Sequence, residues 1–130
     1  MQHELNALSE QVLAAAFAVH TALGPGLLES AYEACLEHEL RLRGVSVERQ
    51  KVVPVRYRGI TIDAGYRIDL LVEDAVIVEV KAVSEVAEIH RAQLLTYLKL
   101  YGRHLGLLLN FNVARLKEGG IRRMVHGPPP

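Results

Sequence analysis

Apolar residues recur every three or four positions in the first third of the chain and every second position from about residue 45. The first spacing is typical of helices with one buried face, and it predicts helices over Leu5–Leu23 and about Leu27–Leu42. Gly24-Pro25-Gly26 separates them, because proline restricts the residue before it and glycine frees the next. The apolar side of the second helix is expected to carry Leu28, Ala31, Cys35 and Leu42.

The alternating spacing predicts strands, with Arg58-Gly59 as a hairpin turn. Pro54 has no N–H to donate to a ladder, so its strand should lie at a sheet edge or be bulged. Ser84 is a plausible N-cap for a third helix. The elements predicted after residue 44 are strands at Val45–Glu48, Val52–Tyr57 and Ile60–Ile62, a central hairpin over residues 66–81, a helix over about Glu85–Tyr101, and strands at Leu105–Phe111 and Ile121–Val125. This order predicts one α/β domain over residues 1–126 and a flexible tail at 127–130.

The hairpin over residues 66–81 carries charges inside two strands that are otherwise aliphatic. If its turn is centred on Asp74, Leu71 lies opposite Ile77 and Asp69 lies opposite Glu79. Two directly opposed carboxylates repel and destabilise a sheet, and a divalent cation with Lys81 beside it would offset that cost. The alternative is that both acids lie on a solvated face, although the flanking aliphatic residues favour strands covered on both sides.

The composition narrows the class of protein. The chain has 130 residues, half of them hydrophobic, which is enough for one compact domain. Fifteen acidic and fifteen basic side chains cancel, so contact with nucleic acid would have to come from a local patch. A single cysteine suits a reducing compartment, and we expect its thiol to be buried and inert. The first ten residues are polar and the longest apolar run, Val12–Val19, is short, so we expect a cytoplasmic protein without a membrane span.

Several chemistries are excluded by their missing motifs. The chain has no Cys-x-x-Cys, and His38-Glu39 is followed by Leu42 where a zinc protease would need its second histidine. The serines lack a nucleophile elbow, and no glycine-rich phosphate loop follows a strand. What remains is the oxygen-rich pair Asp69 and Glu79 with a possible third acid, a donor set that Mg²⁺ or Mn²⁺ selects.

A wider resemblance supports that interpretation. Asp69 followed by Glu79-Val80-Lys81 resembles the acid and E-x-K motif of the PD-(D/E)XK nuclease superfamily, with Arg67-Ile68-Asp69 in place of a literal Pro-Asp. Gly26-Leu27-Leu28-Glu29-Ser30-Ala31-Tyr32 reads G-x-x-E-x-x-Y. The further matching segments are His20, Leu23-Gly24-Pro25-Gly26, Tyr57-Arg58-Gly59, Gln93-Leu94-Leu95-Thr96-Tyr97-Leu98 and Asn110-Phe111-Asn112. Over about residues 20–123 the chain resembles the GxxExxY family, a bacterial group within that superfamily.

The resemblance implies a PD-(D/E)XK core of helix, antiparallel strand meander, helix and strand, here with an extra N-terminal helix. It implies that Asp69 and Glu79 bind Mg²⁺ or Mn²⁺ and that Lys81 is the catalytic lysine. Glu29 would add a further acid to the metal site, although its place in the first turn of a helix also fits a role in complementing the helix dipole. Gln93 would be the polar residue on the helix after the E-x-K motif.

Two functional classes remain open at this point. One is a Mg²⁺-dependent nuclease, in which local cations would contact phosphates; the candidates are Arg56, Arg58, Lys117, Arg122 and Arg123. The other is a catalytically silent module that keeps the fold for protein binding or self-association, since fold alone does not define function. A small nuclease of this kind would often work as a homodimer or with a protein partner.

Overall fold

The computed structural model describes residues 2–128 of the chain. Its helices are α1 (Gln2–Leu23), α2 (Glu29–Leu42) and α3 (Glu88–Tyr101). Its strands are β1 (Val47–Val52), β2 (Val55–Tyr57), β3 (Ile60–Ile62), β4 (Arg67–Val72), β5 (Val76–Lys81), β6 (Leu105–Asn110) and β7 (Ile121–Val125). The predicted α/β architecture is confirmed.

Five strands form the main sheet, in the order β1-β4-β5-β6-β7, and β2 pairs with β3 in a separate two-stranded ribbon. The main-sheet pairs are antiparallel except β5 and β6, which are parallel because α3 crosses over between them. Consequently β1, β5 and β6 finish at the same end of the sheet, and β4 begins there. We call this the acidic end; its terminal residues are Val52, Arg67, Lys81 and Asn110.

Helices cover both faces of the central strands. On one face, α1 and α2 pack Ala15 and Leu36 against β-residues such as Val78 in a single apolar cluster. On the other face, α3 packs Leu94 against Ile77. Gly106 lets α3 approach β6 closely, since an added Cβ would lie 2.8 Å from Leu94 Cδ1. A charged side chain within β4 or β5 is therefore shielded from bulk water unless it lies at the acidic end.

The predicted apolar side of α2 is wrong. Cys35 is exposed rather than buried, and Leu28 and Leu42 are 77% and 68% exposed. The residues that α2 buries are Tyr32, Glu33, Leu36 and Leu40. Hydrophobicity alone selected the wrong stripe, because the buried stripe includes an acid that is neutralised by partners distant in the sequence.

Element boundaries also differ from the prediction. The expected strand over Val52–Tyr57 is divided, because the chain leaves the main sheet at Pro54, which has no N–H to donate. Ser84 is not the N-cap of α3; the helix begins at Glu88, and the N–H of Ala87 donates to His90 Nδ1 at 3.1 Å. Of the tail predicted at 127–130, residues 129 and 130 lie outside the described part of the chain.

Candidate active site

The β4–β5 hairpin has the predicted register, with Leu71 opposite Ile77. Beyond the pair Leu70–Val78, side chains replace the backbone ladder. The N–H of Asp69 donates to Glu79 Oε2 at 2.9 Å, and the N–H of Val80 donates to Asp69 Oδ2 at 2.8 Å. The two carboxylates are thereby held between the strands at the acidic end, each fixed by one backbone N–H from the opposite strand.

Both carboxylates resist ionisation. Burial, together with the neighbouring Glu33 carboxylate, raises the pKa of Asp69 to about 6. Burial and the charge of Asp69 raise the pKa of Glu79, only 4% exposed, to about 8. Lys81 lowers the pKa of both groups but does not cancel these effects. Negative charge at this pair is therefore undercompensated by the protein itself.

Glu33 is the helix acid that reaches the pair, and sequence reasoning missed it. It is 6% exposed, and it forms an ion pair with Arg49. Both of its oxygens accept hydrogen bonds of 3.0 Å from Gln50 Nε2. The Glu33 carboxylate also helps to raise the pKa of Asp69. The sequence signal that could have found it is its position one turn after Glu29, on the same side of the helix.

Gln50 is a second residue that the sequence did not reveal. Its φ is +56°, an unusual value for a side chain with a Cβ. It lies in β1 between the residues paired with Leu70 and Ile68, and thus across from Asp69. Its amide also donates to Asp69 Oδ1 at 3.3 Å, so the turned backbone aims one side chain at two carboxylates.

Glu29 lies at the acidic end but contacts a different group. Its Oε1 accepts the N–H of Ala82 at 3.1 Å, directly after Lys81 at the end of β5. Among the described residues, the Glu29 side chain forms one hydrogen bond, to this backbone N–H, and none to Asp69 or Glu79. Glu29 thus fixes the end of the strand that carries Lys81, and its role as a further metal ligand stays a prediction.

Tyr32, the last residue of the G-x-x-E-x-x-Y segment, braces the loop before α2. Its hydroxyl donates to the Gly24 carbonyl at 2.5 Å and accepts the N–H of Leu27 at 3.1 Å. Its ring stacks on Phe111, with centroids 4.7 Å apart. Because Phe111 follows directly after β6, this contact ties the start of α2 to the acidic end.

Asn110 fixes the segment on the other side of Lys81. It is 2% exposed and pairs with Lys81 across the parallel strands. Its side chain accepts the N–H of Val83 at 3.1 Å and donates to the Val83 carbonyl at 2.9 Å. Glu29 and Asn110 together hold residues 82 and 83, which determines where the Lys81 side chain leaves the sheet.

Gln93 lines a cavity of about 260 Å³ on the α3 side, together with Tyr66, Thr96 and Tyr97. Burial and the charges of Glu79 and Asp69 raise the pKa of the Tyr97 phenol to about 12, so this hydroxyl lies in the field of the pair. Tyr66 packs edge-on against Tyr97 at 6.2 Å. The Tyr97 phenol is a further polar group near the acids, and the sequence did not single it out.

The five candidate phosphate-binding cations are separated by the fold. Arg56 belongs to the β2–β3 ribbon and Arg58 to its turn, whereas Lys117 lies in the β6–β7 loop. Arg123 donates to Ser9 Oγ at 3.1 Å and to Asn6 on α1 at 2.8 Å. Arg122 donates to the carbonyls of Gly119 and Ile121. The arginines of β7 are thus engaged within the protein, while those of the ribbon project from it.

The donor set fits a hard divalent cation better than it fits any other group. Among the described residues no set of three or more His, Cys, Asp or Glu is arranged as a complete metal site. Asp69 and Glu79 supply two carboxylates. Their raised pKa values indicate that the protein alone does not stabilise their negative charge, which a bound cation would do. Mg²⁺ is commonly held by one or two carboxylates and keeps several waters, so two protein ligands are sufficient.

Comparison with known proteins agrees with this fold. A family model described as the PD-(D/E)XK nuclease superfamily matches residues 6–124, nearly the whole chain. The chain belongs to the PD-(D/E)XK nuclease superfamily. No curated protein and no solved structure matches it. The predicted fold class, including the extra N-terminal helix, is confirmed.

Membership in this superfamily indicates which metals to consider for the site. PD-(D/E)XK nucleases generally use divalent metals such as Mg²⁺ or Mn²⁺. None of the helices in the described part of the chain is long and apolar enough to cross a membrane.

Proposed function

We propose that the protein is a metal-dependent nuclease that hydrolyses phosphodiester bonds of nucleic acid, and that it belongs to the GxxExxY group of its superfamily. The observation that carries the proposal is the buried pair Asp69 and Glu79 at an opened strand ladder, with Lys81 beside it. A fold that had no use for a cation would gain stability by losing one of these two acids.

Asp69 and Glu79 are proposed to hold Mg²⁺ or Mn²⁺. Each carboxylate has one oxygen fixed by a backbone N–H, which presets the orientation of its second oxygen. On Asp69 that second oxygen also accepts the Gln50 amide at 3.3 Å. The chemistry supplied by a bound divalent cation is polarisation of a phosphoryl oxygen and a lower pKa for a nearby water. Gln50, on β1, would orient Asp69 through its amide hydrogen bond, and Glu33 on α2 would in turn hold the Gln50 amide.

Lys81 is proposed to stabilise the negative charge that develops on the phosphate. It is half-buried, and its charge already acts on both carboxylates. An ammonium group held close to the reaction but free to bond with the substrate contributes most when charge is greatest, in the transition state. Glu29 supports this role by holding the amide of Ala82, the residue after Lys81.

The direct test is cleavage of plasmid DNA, single-stranded DNA and RNA in Mg²⁺ or Mn²⁺. Asp69→Asn and Lys81→Ala should each lose at least about 100-fold in rate, since each removes a group that acts on the reacting phosphate. Lys99→Ala, an exposed lysine on α3 at the opposite end of the sheet, is the matched control and should retain full activity. A wild-type protein that cleaves none of these substrates would refute the proposal.

A second candidate, the catalytically silent module, is favoured by one observation. Asp69 and Glu79 each already accept a backbone N–H, so the pair also has a structural role without any ligand. In that case Lys81 is a structural counter-ion, and Lys81→Ala should lower the free energy of unfolding by a few kcal/mol, on the order of 3. In a nuclease the same change should lower turnover and leave the melting temperature within a few degrees of wild type.

A further inference from the structure

The β2–β3 ribbon is the part of the molecule that the site chemistry leaves unexplained. We call residues 53–66 the arm. It leaves the sheet where β1 ends at Val52 and returns where β4 begins at Arg67, two residues before Asp69. Its root therefore adjoins the carboxylate pair, and anything held along the arm is held beside the acidic end.

The arm contributes little to the core of the protein. Tyr57, Ile60 and Ile62 are 62%, 56% and 43% exposed. In the described structure the strands of the arm have no extensive contacts with a helix or with the main sheet. An exposed ribbon of this kind adds little hydrophobic stabilisation, so its surface is available for a partner.

The arm is nevertheless built to keep one shape. Arg58 and Gly59 have φ values of +43° and +86°, as a two-residue hairpin turn of the twist-matched type requires. At the root, Val53 is fully buried and donates its N–H to the Tyr66 carbonyl at 3.0 Å. Tyr66 in turn packs against Tyr97. The arm therefore projects as an anchored ribbon rather than a loose loop.

Positive charge is concentrated at its tip. In the described part of the chain neither Arg56 nor Arg58 forms an ion pair, and the Arg58 guanidinium lies 5.8 Å from the Tyr57 ring. Asp63, the acid of the arm, is 3.2 Å from Arg67 at the root and accepts the N–H of Gly65. The tip thus carries two uncompensated positive charges on a chain of zero net charge.

We infer that the arm holds double-stranded nucleic acid, with Arg56 and Arg58 on the phosphates flanking a groove that the ribbon enters. This inference rests on the proposed function in taking nucleic acid as the ligand. A two-stranded β-ribbon is of a width that the major groove of B-DNA admits. At ~3.3 Å per residue the turn lies roughly 16 Å from the root, about half a helical turn of duplex from the site.

The arrangement of the two ribbon faces favours this partner over a second copy of the chain. The strand register places Val55, Tyr57, Ile60 and Ile62 on one face, and Arg56 with Thr61 on the other. A two-fold contact through the apolar face would leave Arg56 of each copy on the outer face without a partner of opposite charge. In a groove the same arginines meet phosphates, while the apolar face can contact base methyl groups.

The test is binding of a fluorescent 20-base-pair duplex by the full chain in Ca²⁺, measured by anisotropy at several salt concentrations. Arg56→Ala/Arg58→Ala should weaken binding about 10-fold or more and reduce the slope of log K against log salt by about two. Arg43→Ala/Lys99→Ala removes the same charge from the opposite end of the sheet and should leave the slope unchanged. Equal slopes for both variants, or no duplex binding by the wild type, would overturn the inference.

Two further measurements separate this inference from the proposed function. Hydrolysis of bis(p-nitrophenyl) phosphate by the wild type with Mn²⁺ tests the cation site alone, because the small diester does not reach the arm. A wild type that cleaves nothing, with the predicted fall in slope, would refute the nuclease and uphold the arm. If Ile60→Ser converts a dimer to a monomer while the arginine variant still binds duplex normally, the arm is a self-association surface instead.

Discussion

At the scale of single residues, the site is a set of acids that the protein does not neutralise. Glu33 has Arg49 and Gln50 as partners, whereas Glu79 is nearly fully buried with Lys81 as the nearby positive charge. Ionising the Asp69–Glu79 pair in the absence of a cation is therefore unfavourable. When ionised, the two acids destabilise the free protein, and a ligand that carries positive charge would relieve that cost.

This imbalance predicts that the metal-free protein becomes less stable as the pH rises. The pKa values of Asp69 and Glu79 are raised in the folded state, to about 6 and about 8, so the folded state binds more protons than the unfolded state between pH 4 and 8. Stability contributed by these groups is complete below pH 4 and is lost as the pH approaches 8. Urea unfolding in EDTA should show this fall as several kcal/mol, since a change of one in pKa corresponds to about 1.4 kcal/mol.

Glu79→Gln isolates the contribution of Glu79 to that pH dependence. The amide oxygen can still accept the Asp69 N–H, but the charge is gone. The variant should match wild type near pH 4 and exceed it near pH 8. A variant that is less stable than wild type across this whole range would contradict the account.

The side-chain amide of Gln50 should stabilise the fold by more than the unusual backbone conformation at residue 50 costs. Gln50→Ala removes the bonds to Glu33 and Asp69 but keeps a Cβ at φ +56°, and should lower the free energy of unfolding by about 1–2 kcal/mol. Gln50→Gly loses the same bonds but relieves the backbone by about 1 kcal/mol, so it should be the less destabilised variant. If Gln50→Gly has a lower free energy of unfolding than Gln50→Ala, the backbone at residue 50 is not strained.

At the scale of elements, the G-x-x-E-x-x-Y segment acts as a two-point clamp at the start of α2. Glu29 binds the amide after Lys81, and Tyr32 binds the preceding loop while stacking on Phe111. The spacing of three places both side chains on the same side of the helix, toward the acidic end. The segment therefore fixes the position of the strand that carries Lys81. The helix acid near Asp69 is Glu33, one turn later.

Removing the Tyr32 hydroxyl tests this clamp. Tyr32→Phe keeps the stack on Phe111 but leaves the Gly24 carbonyl and the Leu27 N–H without their partner. We expect a loss of about 1–2 kcal/mol in the free energy of unfolding, measured by urea denaturation. Tyr57→Phe, at an exposed hydroxyl on the arm, is the control and should be neutral.

The central hairpin was predictable from the sequence because strand register follows simple arithmetic. Fixing the turn near Asp74 set Leu71 opposite Ile77, and the aliphatic flanks indicated burial on both faces. The opening of the ladder at Asp69 was not predictable, because it depends on side chains bonding to the backbone of the other strand.

The helix contributions were harder to predict for a physical reason. A hydrophobic stripe assumes that buried residues are apolar, but α2 buries Glu33 and exposes Cys35 and Leu28. Burial of Glu33 is possible because Arg49 and Gln50 reach it from β1, sixteen and seventeen residues later in the chain. Gln50 in turn has a backbone conformation that no residue pattern indicates.

At the scale of the whole molecule, topology gathers the carboxylate pair, Lys81, Glu29 and the arm at one end of the sheet. β4 begins there, β1, β5 and β6 finish there, α2 starts there, and the arm projects from it. Zero net charge over the chain thus coexists with a buried acidic pair and a positively charged arm at the same end. This placement of negative and positive groups side by side suits a protein that must hold a cation and a polyanion next to each other.

The measurement that tests this account most directly is Mn²⁺ binding at pH 7.5, followed by the electron paramagnetic resonance signal of free Mn²⁺. The account predicts saturable binding by the wild type that is weakened at least about tenfold in Glu79→Gln, because one of two carboxylate ligands is lost. Glu118→Gln, at an exposed glutamate in the β6–β7 loop, should bind as wild type does. Equal binding by wild type and Glu79→Gln, or none by the wild type, would contradict the claim that Asp69 and Glu79 form a cation site.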